Sequence, residues 1–266
     1  MDIDAVYTQI EAMAKLANKE LGQNYLINHQ IAQKMVNLLS VSSEDNILEI
    51  GAGFGALSIF LLNTPYKTLT FNEVDPRAIK FLDEIVEHQK RAYVVNKSAL
   101  KIPIKNYNKI IGNLPYYITN DLLEYYFTKC DASYYLFMIQ KEVLNRLVAS
   151  VNTPDYGPLA ILVNCLGDIK KEFDVSKDNF LPMPHVSSLV FSLTNHNNTK
   201  VDKYQYLQFL KRMFLHRRKT IYNNLSLYLM NKDKAKGILD KLKISILTRP
   251  EQIAPNTYLN IFILTI

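Results

Sequence analysis

The sequence predicts an α/β protein: a mostly parallel sheet covered by helices on both faces, followed by a small, basic helical domain. Three observations carry this prediction. Short β-rich runs alternate with helical stretches up to about residue 195, the signature of crossover-connected parallel strands. A glycine-rich turn, Gly51-Ala52-Gly53-Phe54-Gly55, stands directly between one such run and a helix. Charge is also segregated: residues 1–199 hold 18 Lys/Arg against 21 Asp/Glu, a net −3, whereas residues 200–266 hold 13 against 4, a net +9. A separate basic module of this kind suits an anionic partner such as a nucleic-acid backbone.

In chain order, strands are expected at Ile47–Ile50, Thr68–Glu73, Tyr93–Asn96, Lys109–Gly112, Tyr134–Gln140 and Leu189–Leu193. The intervening helices are expected at Ala56–Leu62, Pro76–Gln89, Thr119–Lys129 and Lys141–Ser150. Asp75 before Pro76 supplies an N-cap followed by proline at the first helical position. The polar stretch Asn195–Asn198 reads as a linker, dividing the chain into residues 1–195 and 196–266. Beyond it, Tyr204, Leu207, Leu210 and Phe214 recur at helical spacing, and Leu225/Leu229 and Ile238/Leu242 mark further short helices.

Composition narrows the class. With 266 residues, 48% hydrophobic and 21% charged, the chain can bury a sizeable core and is not of a disordered or collagen-like type. Cys130 and Cys165 are too few for a disulfide framework or a Cys-based zinc site, so a reducing compartment and no metal are expected. No apolar run approaches the roughly 18 residues of a membrane span. Asp2, Asp4 and Glu11, with no arginine nearby, argue against a targeting peptide. A soluble, cytoplasmic monomer is the expectation, with an organelle as the alternative if a transit segment has been removed.

Two motifs carry chemistry. At Gly51, Gly53 and Gly55 a ligand can lie against bare backbone, and Glu73, about twenty residues on at the end of the next strand, suits ribose hydroxyls. Taken alone, this pattern also fits a nicotinamide enzyme. The second motif, Asn113-Leu114-Pro115-Tyr116, follows the fourth strand, at the carboxyl edge where such sheets place their sites. An acceptor pair from the Asn113 side chain and the Leu114 carbonyl suits an exocyclic amine, Pro115 stiffens the loop, and Tyr116 offers a face on which an extruded base can stack. The two motifs in this order resemble the N6-adenine branch of S-adenosylmethionine-dependent methyltransferases.

From about residue 15 to residue 255 the chain resembles the small-subunit (16S) rRNA adenine N6,N6-dimethyltransferase family, the KsgA type. Gly22-Gln23-Asn24-Tyr25-Leu26, with Tyr25 where the family usually has Phe, is similar to its N-terminal cofactor motif. Gln140-Lys141-Glu142-Val143, Asp155-Tyr156-Gly157 and Phe180-Leu181-Pro182-Met183-Pro184-His185-Val186 with Ser188 are similar to further family stretches, and Leu114 is the residue typical of it. The resemblance implies a Rossmann-like class I methyltransferase fold with a small C-terminal helical domain. It further implies S-adenosyl-L-methionine as cofactor, held by Gln23, Asn24, Leu26, Gly51, Gly53, Gly55, Glu73, Ser98 and Asn113.

By the same resemblance, Phe180 faces Tyr116 across the adenine, and Arg217, Arg218 and Lys219, read here as neighbours on a helix, grip rRNA. The implied reaction is dimethylation of two adjacent adenines near the 3′ end of small-subunit rRNA in the 30S particle. One departure stands out: Ser98 occupies the place of an Asp that binds the amino group of the cofactor's adenine, predicting weaker cofactor binding. The alternatives are a 23S rRNA adenine N6-methyltransferase of the macrolide-resistance type and a non-catalytic ribosome-assembly RNA-binding factor. A nicotinamide dehydrogenase is disfavoured, because it explains neither Asn113–Tyr116 nor the basic end.

Overall fold

A computed structural model of the protein describes residues 3–15, 23–104, 106–196 and 201–266. Gly22 of the N-terminal motif, and Asn197 and Asn198 of the linker, lie outside the described residues. The elements, in order, are α1 Ile3–Ala14, β1 Tyr25–Leu26, α2 His29–Leu38, β2 Asn46–Ile50, α3 Ser58–Leu61, β3 Thr68–Glu73, α4 Pro76–Val86 and β4 Ala92–Asn96. There follow β5 Lys109–Asn113, α5 Thr119–Lys129, β6 Tyr134–Gln140, α6 Lys141–Leu147, α7 Pro158–Leu166, β7 Gly167–Val175, β8 Phe180–Leu181 and β9 Ser188–Asn195. The chain ends with α8 Lys203–Phe214, α9 Ile221–Leu229, α10 Lys232–Lys241 and α11 Pro255–Ile263.

Among the described residues, seven strands form one sheet in the order β4-β3-β2-β5-β6-β9-β7. β2 to β6 run parallel, and β9 is antiparallel to β6. Strands buried on both faces are apolar nearly throughout, and the middle of β6 is: Leu136, Phe137, Met138 and Ile139 are all fully buried, packed beside Val190 and Phe191 of β9. The order reverses between β2 and β5, so the carboxyl ends of these two strands open a crevice where sheets of this type hold ligands. Asp75 caps α4, accepting from Arg77 N, with Pro76 at its first turn as expected.

The chain forms two compact units. One comprises Met1–Tyr126, Cys130–Lys141 and Lys170–Asn195; the other comprises Phe127–Lys129, Glu142–Ile169 and His196–Ile266. The linear division into 1–195 and 196–266 is therefore not how the chain packs. The reason is α7, whose Ala160, Ile161, Leu162, Val163 and Leu166 are buried. A helix so apolar must be covered, and within the second unit α8 and α11 pack on it, while Tyr156 Oη donates to Ile253 O at 2.7 Å. Counted by unit, the second holds 15 Lys/Arg against 7 Asp/Glu, a net +8, and the first 16 against 18, a net −2.

Other expectations also shift. The buried face of α8 is Tyr206, Leu207, Phe209, Leu210 and Met213, while Tyr204 is exposed. α3 is shorter than the expected helix at Ala56–Leu62, because its first residues form the turn that leaves the glycine loop. β7 was not anticipated: Gly167-Asp-Ile-Lys-Lys-Glu-Phe-Asp-Val is an edge strand rich in charge, the composition that blunts edge pairing. No helix among the described residues is long and apolar enough to cross a membrane.

Candidate active site

One cavity in the first unit gathers the two chemical motifs and the N-terminal motif. Gln23, Asn24, Leu26, Gly51, Gly53, Glu73, Ser98, Asn113, Leu114, Pro115 and Tyr116 all line it. The glycine turn leaves β2 with Gly51, Gly53 and Gly55 at φ values of +66°, +55° and +82°, where a side chain is strained. A Cβ on Gly51 would stand 3.8 Å from Asn113 O and 3.9 Å from Pro115 Cδ, in the space between the two motifs. Gly55 does not line the cavity. Its job is packing, since a Cβ there would meet Ile85 Cδ1 at 3.3 Å.

Glu73 organises the turn. Its Oε2 accepts from Gly53 N at 2.7 Å, and its Oε1 accepts from Val74 N at 2.7 Å and Asp75 N at 2.9 Å. Charge-assisted bonds of this kind fix the carboxylate and the glycine turn as one piece. Asp75 accepts in turn from Arg77 and from Gln23 Nε2, the latter at 2.9 Å, so the N-terminal segment is tied beside the loop. The Arg77 guanidinium is the main reason the Asp75 carboxyl is held down to about 2. A second tie is the β1–β8 pair, which sets Leu26 opposite Phe180.

The loop after β5 is fixed from below and from the side. Leu114 N donates to Met138 O at 3.0 Å, and Thr119 Oγ1 donates to Pro115 O at 2.9 Å. Asn113 Nδ2 donates to Asn24 O at 3.1 Å, which leaves Asn113 Oδ1 buried without a hydrogen-bond partner. An orphaned buried acceptor costs about 1–3 kcal/mol, a cost that a ligand N–H at this atom would relieve. The Tyr116 and Ser188 hydroxyls lie 2.7 Å apart, which sets the Tyr116 ring; burial raises its hydroxyl above the ordinary tyrosine range.

Sequence reasoning missed two groups on the cavity wall. Asn72 Nδ2 donates to Val95 O at 3.1 Å and Lys97 O at 2.6 Å, holding the turn that presents the exposed Ser98. An Asn directly before Glu73 at the carboxyl end of a strand was the available signal. Glu49 is buried and accepts from Ser58 Oγ at 2.7 Å. Burial, reinforced by the Glu73 charge and opposed by the Ser58 hydrogen bond, pushes it up to about 8.

Two expectations need correcting. Phe180 does not line the cavity; it is 1% exposed and packed in the core, so it does not face Tyr116 across open space. Arg217, Arg218 and Lys219 are not on a helix but in the turn between α8 and α9. Arg218 and Lys219 are exposed there, whereas Arg217 donates from Nη1 to Pro154 O and from Nη2 to Thr153 O at 2.7 Å.

An open, mostly parallel sheet with a glycine turn, an acid and an Asn-Leu-Pro-Tyr loop at the carboxyl ends of its strands defines a class I methyltransferase. Solved structures share the fold: a dimethyladenosine transferase from Plasmodium falciparum has a TM-score of 0.75 at 23% identity, covering 89% of this chain and 95% of its own. The 23S rRNA methyltransferase ErmE has a TM-score of 0.66 at 21% identity, covering 91% and 99%. The chain belongs to the ribosomal RNA adenine dimethylase family, whose model matches residues 14–266. Among its relatives, a ribosomal RNA small subunit methyltransferase A from Malacoplasma penetrans is 37% identical, covering 91% of this chain and 90% of its own. One of the same name from Mycoplasma mobile is 36% identical, covering 92% and 96%. The family is S-adenosylmethionine-dependent, and the cavity fits such a group: bare glycine backbone, an anchored carboxylate and an unsatisfied acceptor converge on it.

Proposed function

We propose that this chain transfers methyl groups from S-adenosyl-L-methionine to N6 of two adjacent adenines near the 3′ end of 16S rRNA in the 30S particle, dimethylating each. The observation that carries the reading is the Asn113 amide, whose NH2 is committed to Asn24 O while its Oδ1 stays a buried, free acceptor. Adenine N6 is a poor nucleophile because its lone pair is delocalised into the ring. Accepting the N6–H groups at Asn113 Oδ1 and the Leu114 carbonyl localises that lone pair and orients it, a transition-state effect joined to a positional one. Pro115 keeps the loop rigid, and the Tyr116 ring, set by Ser188, stacks the extruded base. The amine proton leaves after transfer, so no general base is required.

The glycine turn, Glu73, Ser98 and the Gln23–Leu26 segment would hold the cofactor, which when bound supplies an electrophilic methyl group. In the second unit, the net +8 supports a salt-dependent grip on RNA phosphates, with Arg218 and Lys219 as exposed contacts. We read the enzyme as a cytoplasmic monomer, to be checked by fractionation and sedimentation. The decisive experiment is labelled methyl transfer to unmodified 30S particles and to protein-free 23S RNA, with mass spectrometry of the nucleosides. N6,N6-dimethyladenosine from 30S particles is the expected product. Label confined to 23S RNA, or none in either, overturns the reading.

A further inference from the structure

We infer that Arg217 is a positioning residue: it does not grip RNA itself but clamps the turn that presents Arg218 and Lys219 against two neighbouring loops. The inference rests on the proposed RNA-binding role of the second unit. Within that unit, the α6–α7 loop, the α8–α9 turn and the Pro250–Gln252 turn meet at the Arg217 guanidinium. Nη1 and Nη2 fork onto the adjacent carbonyls of Pro154 and Thr153. Nε faces Glu251 Oε2 at 3.9 Å, a buried carboxylate oxygen with no hydrogen-bond partner.

The same loops are stitched by backbone bonds around this centre. Asn152 N donates to Glu251 O at 2.9 Å, and Ile221 N donates to Thr248 O at 2.7 Å. From inside, Asn224 Nδ2 reaches His216 O and Thr220 O at 3.3 and 3.2 Å, closing the turn that carries the cations. Both terminal nitrogens of Arg217 are thus committed to backbone carbonyls, and its charge is paired with a half-buried carboxylate. A planar fork that spans two neighbouring carbonyls is a job for arginine and not for the point charge of lysine. Arg218 and Lys219 are next in the chain, exposed, and their direction depends on where this turn is held.

The roles separate in a comparison of Arg217→Lys, Arg217→Gln, Glu251→Gln and Arg218→Ala, using the full-length enzyme. Affinity for 30S particles is measured across a salt series, with thermal melting on the same samples. A positioning role predicts that Arg217→Lys and Arg217→Gln both weaken binding by about three- to tenfold with the salt slope unchanged, and lower Tm by about 3–6 °C. Arg218→Ala, a phosphate contact, should instead flatten the slope of log K against log salt by about 0.7–0.9 and leave Tm in place.

Glu251→Gln gives an opposite-sign check that survives poor folding of the arginine variants. It adds a net positive charge, so plain electrostatics predicts tighter binding, whereas loss of the clamp predicts weaker binding. Wild-type affinity in Arg217→Lys with a flattened slope in Arg217→Gln makes Arg217 a phosphate contact and overturns the inference. So does a lower Tm with unchanged affinity, or tighter binding by Glu251→Gln. Absence of RNA binding by the unsubstituted enzyme fells both this inference and the RNA-binding reading, whereas binding without methyl transfer fells only the catalytic one.

Discussion

In the first unit charge is turned inward. Glu73 gives both carboxylate oxygens to backbone N–H groups, Asp75 is closed by Arg77, and the formal net charge is −2. In the second unit charge is turned outward: the net is +8, and Arg218, Lys219 and Arg249 stand exposed on turns. The contrast follows from what each must hold. A small cofactor and a single base are recognised by fixed dipoles in a dry cavity, where geometry decides the rate. A long polyanion is held by counterion release, where the number of cations matters more than their exact placement. Substitutions in the first unit should therefore act on turnover, and those in the second on salt-dependent affinity.

The sharpest break between the two is Asn113→Ala. Removing the orphaned Asn113 acceptor should lower methyl transfer by at least 100-fold, the scale seen when one preorganised transition-state partner is deleted. Binding to 30S particles should persist, because no RNA-gripping cation is touched. Comparable activity in the variant would remove Asn113 from the mechanism. The second unit gives the mirror image: in Lys219→Ala, kcat at saturating 30S particles should hold while affinity falls a few-fold at low salt, the deficit shrinking as salt is raised toward physiological levels because one fewer counterion is released. A change in kcat at saturation would show that the two units do not divide the work in this way.

How much of this was legible in the sequence differs between the units for the same physical reason. The cavity was readable because its parts are local signals: glycines after a strand, an acid at the next strand end, and a four-residue loop after another. What was not readable were partners far apart in the chain, such as Ser188 setting Tyr116, or Asn24 orienting the Asn113 amide. Phe180 misled because an aromatic before a final strand looks the same whether it faces a ligand or the core. In the second unit the charge count was right in sign but silent on geometry. A run of three cations gives no hint that the first is consumed by Thr153 and Pro154, some sixty positions earlier. The compact unit itself was also hidden, because α7 joins it through packing, which no linker composition announces.

Glu49 offers a test in stability, not rate. The unfolded chain ionises near the ordinary 4.5, whereas the folded protein holds the proton up to about 8. Between these values unfolding releases a proton, so this group's contribution, full below 4.5, declines as pH rises and is lost once pH passes about 8. The decline approaches about 1.4 kcal/mol per pH unit within the window. Glu49→Gln keeps a hydrogen-bonding group beside Ser58 and removes the titration. Its stability relative to the unsubstituted protein should rise steadily from pH 5 to pH 8, as measured by denaturant melts. Parallel curves would mean that Glu49 is ionised in the fold.

The smallest expected effect concerns Ser98, at the exposed end of the cavity wall. Asn72 fixes the backbone of the preceding turn through Val95 O and Lys97 O, so the position is held although the side chain is short and uncharged. A Ser98→Asp variant places a carboxylate on the same rigid turn, where it can accept a charge-assisted hydrogen bond from an amino group of the cofactor. Because the site is exposed, solvent screens that charge and little desolvation opposes it. The gain should be modest: about three- to tenfold tighter binding of S-adenosylhomocysteine by calorimetry, with kcat unchanged. Equal or weaker binding in the aspartate variant would show that the serine already meets the demand at this position. In that case the cavity draws its affinity from the Glu73-anchored glycine turn, which a change at Ser98 leaves untouched.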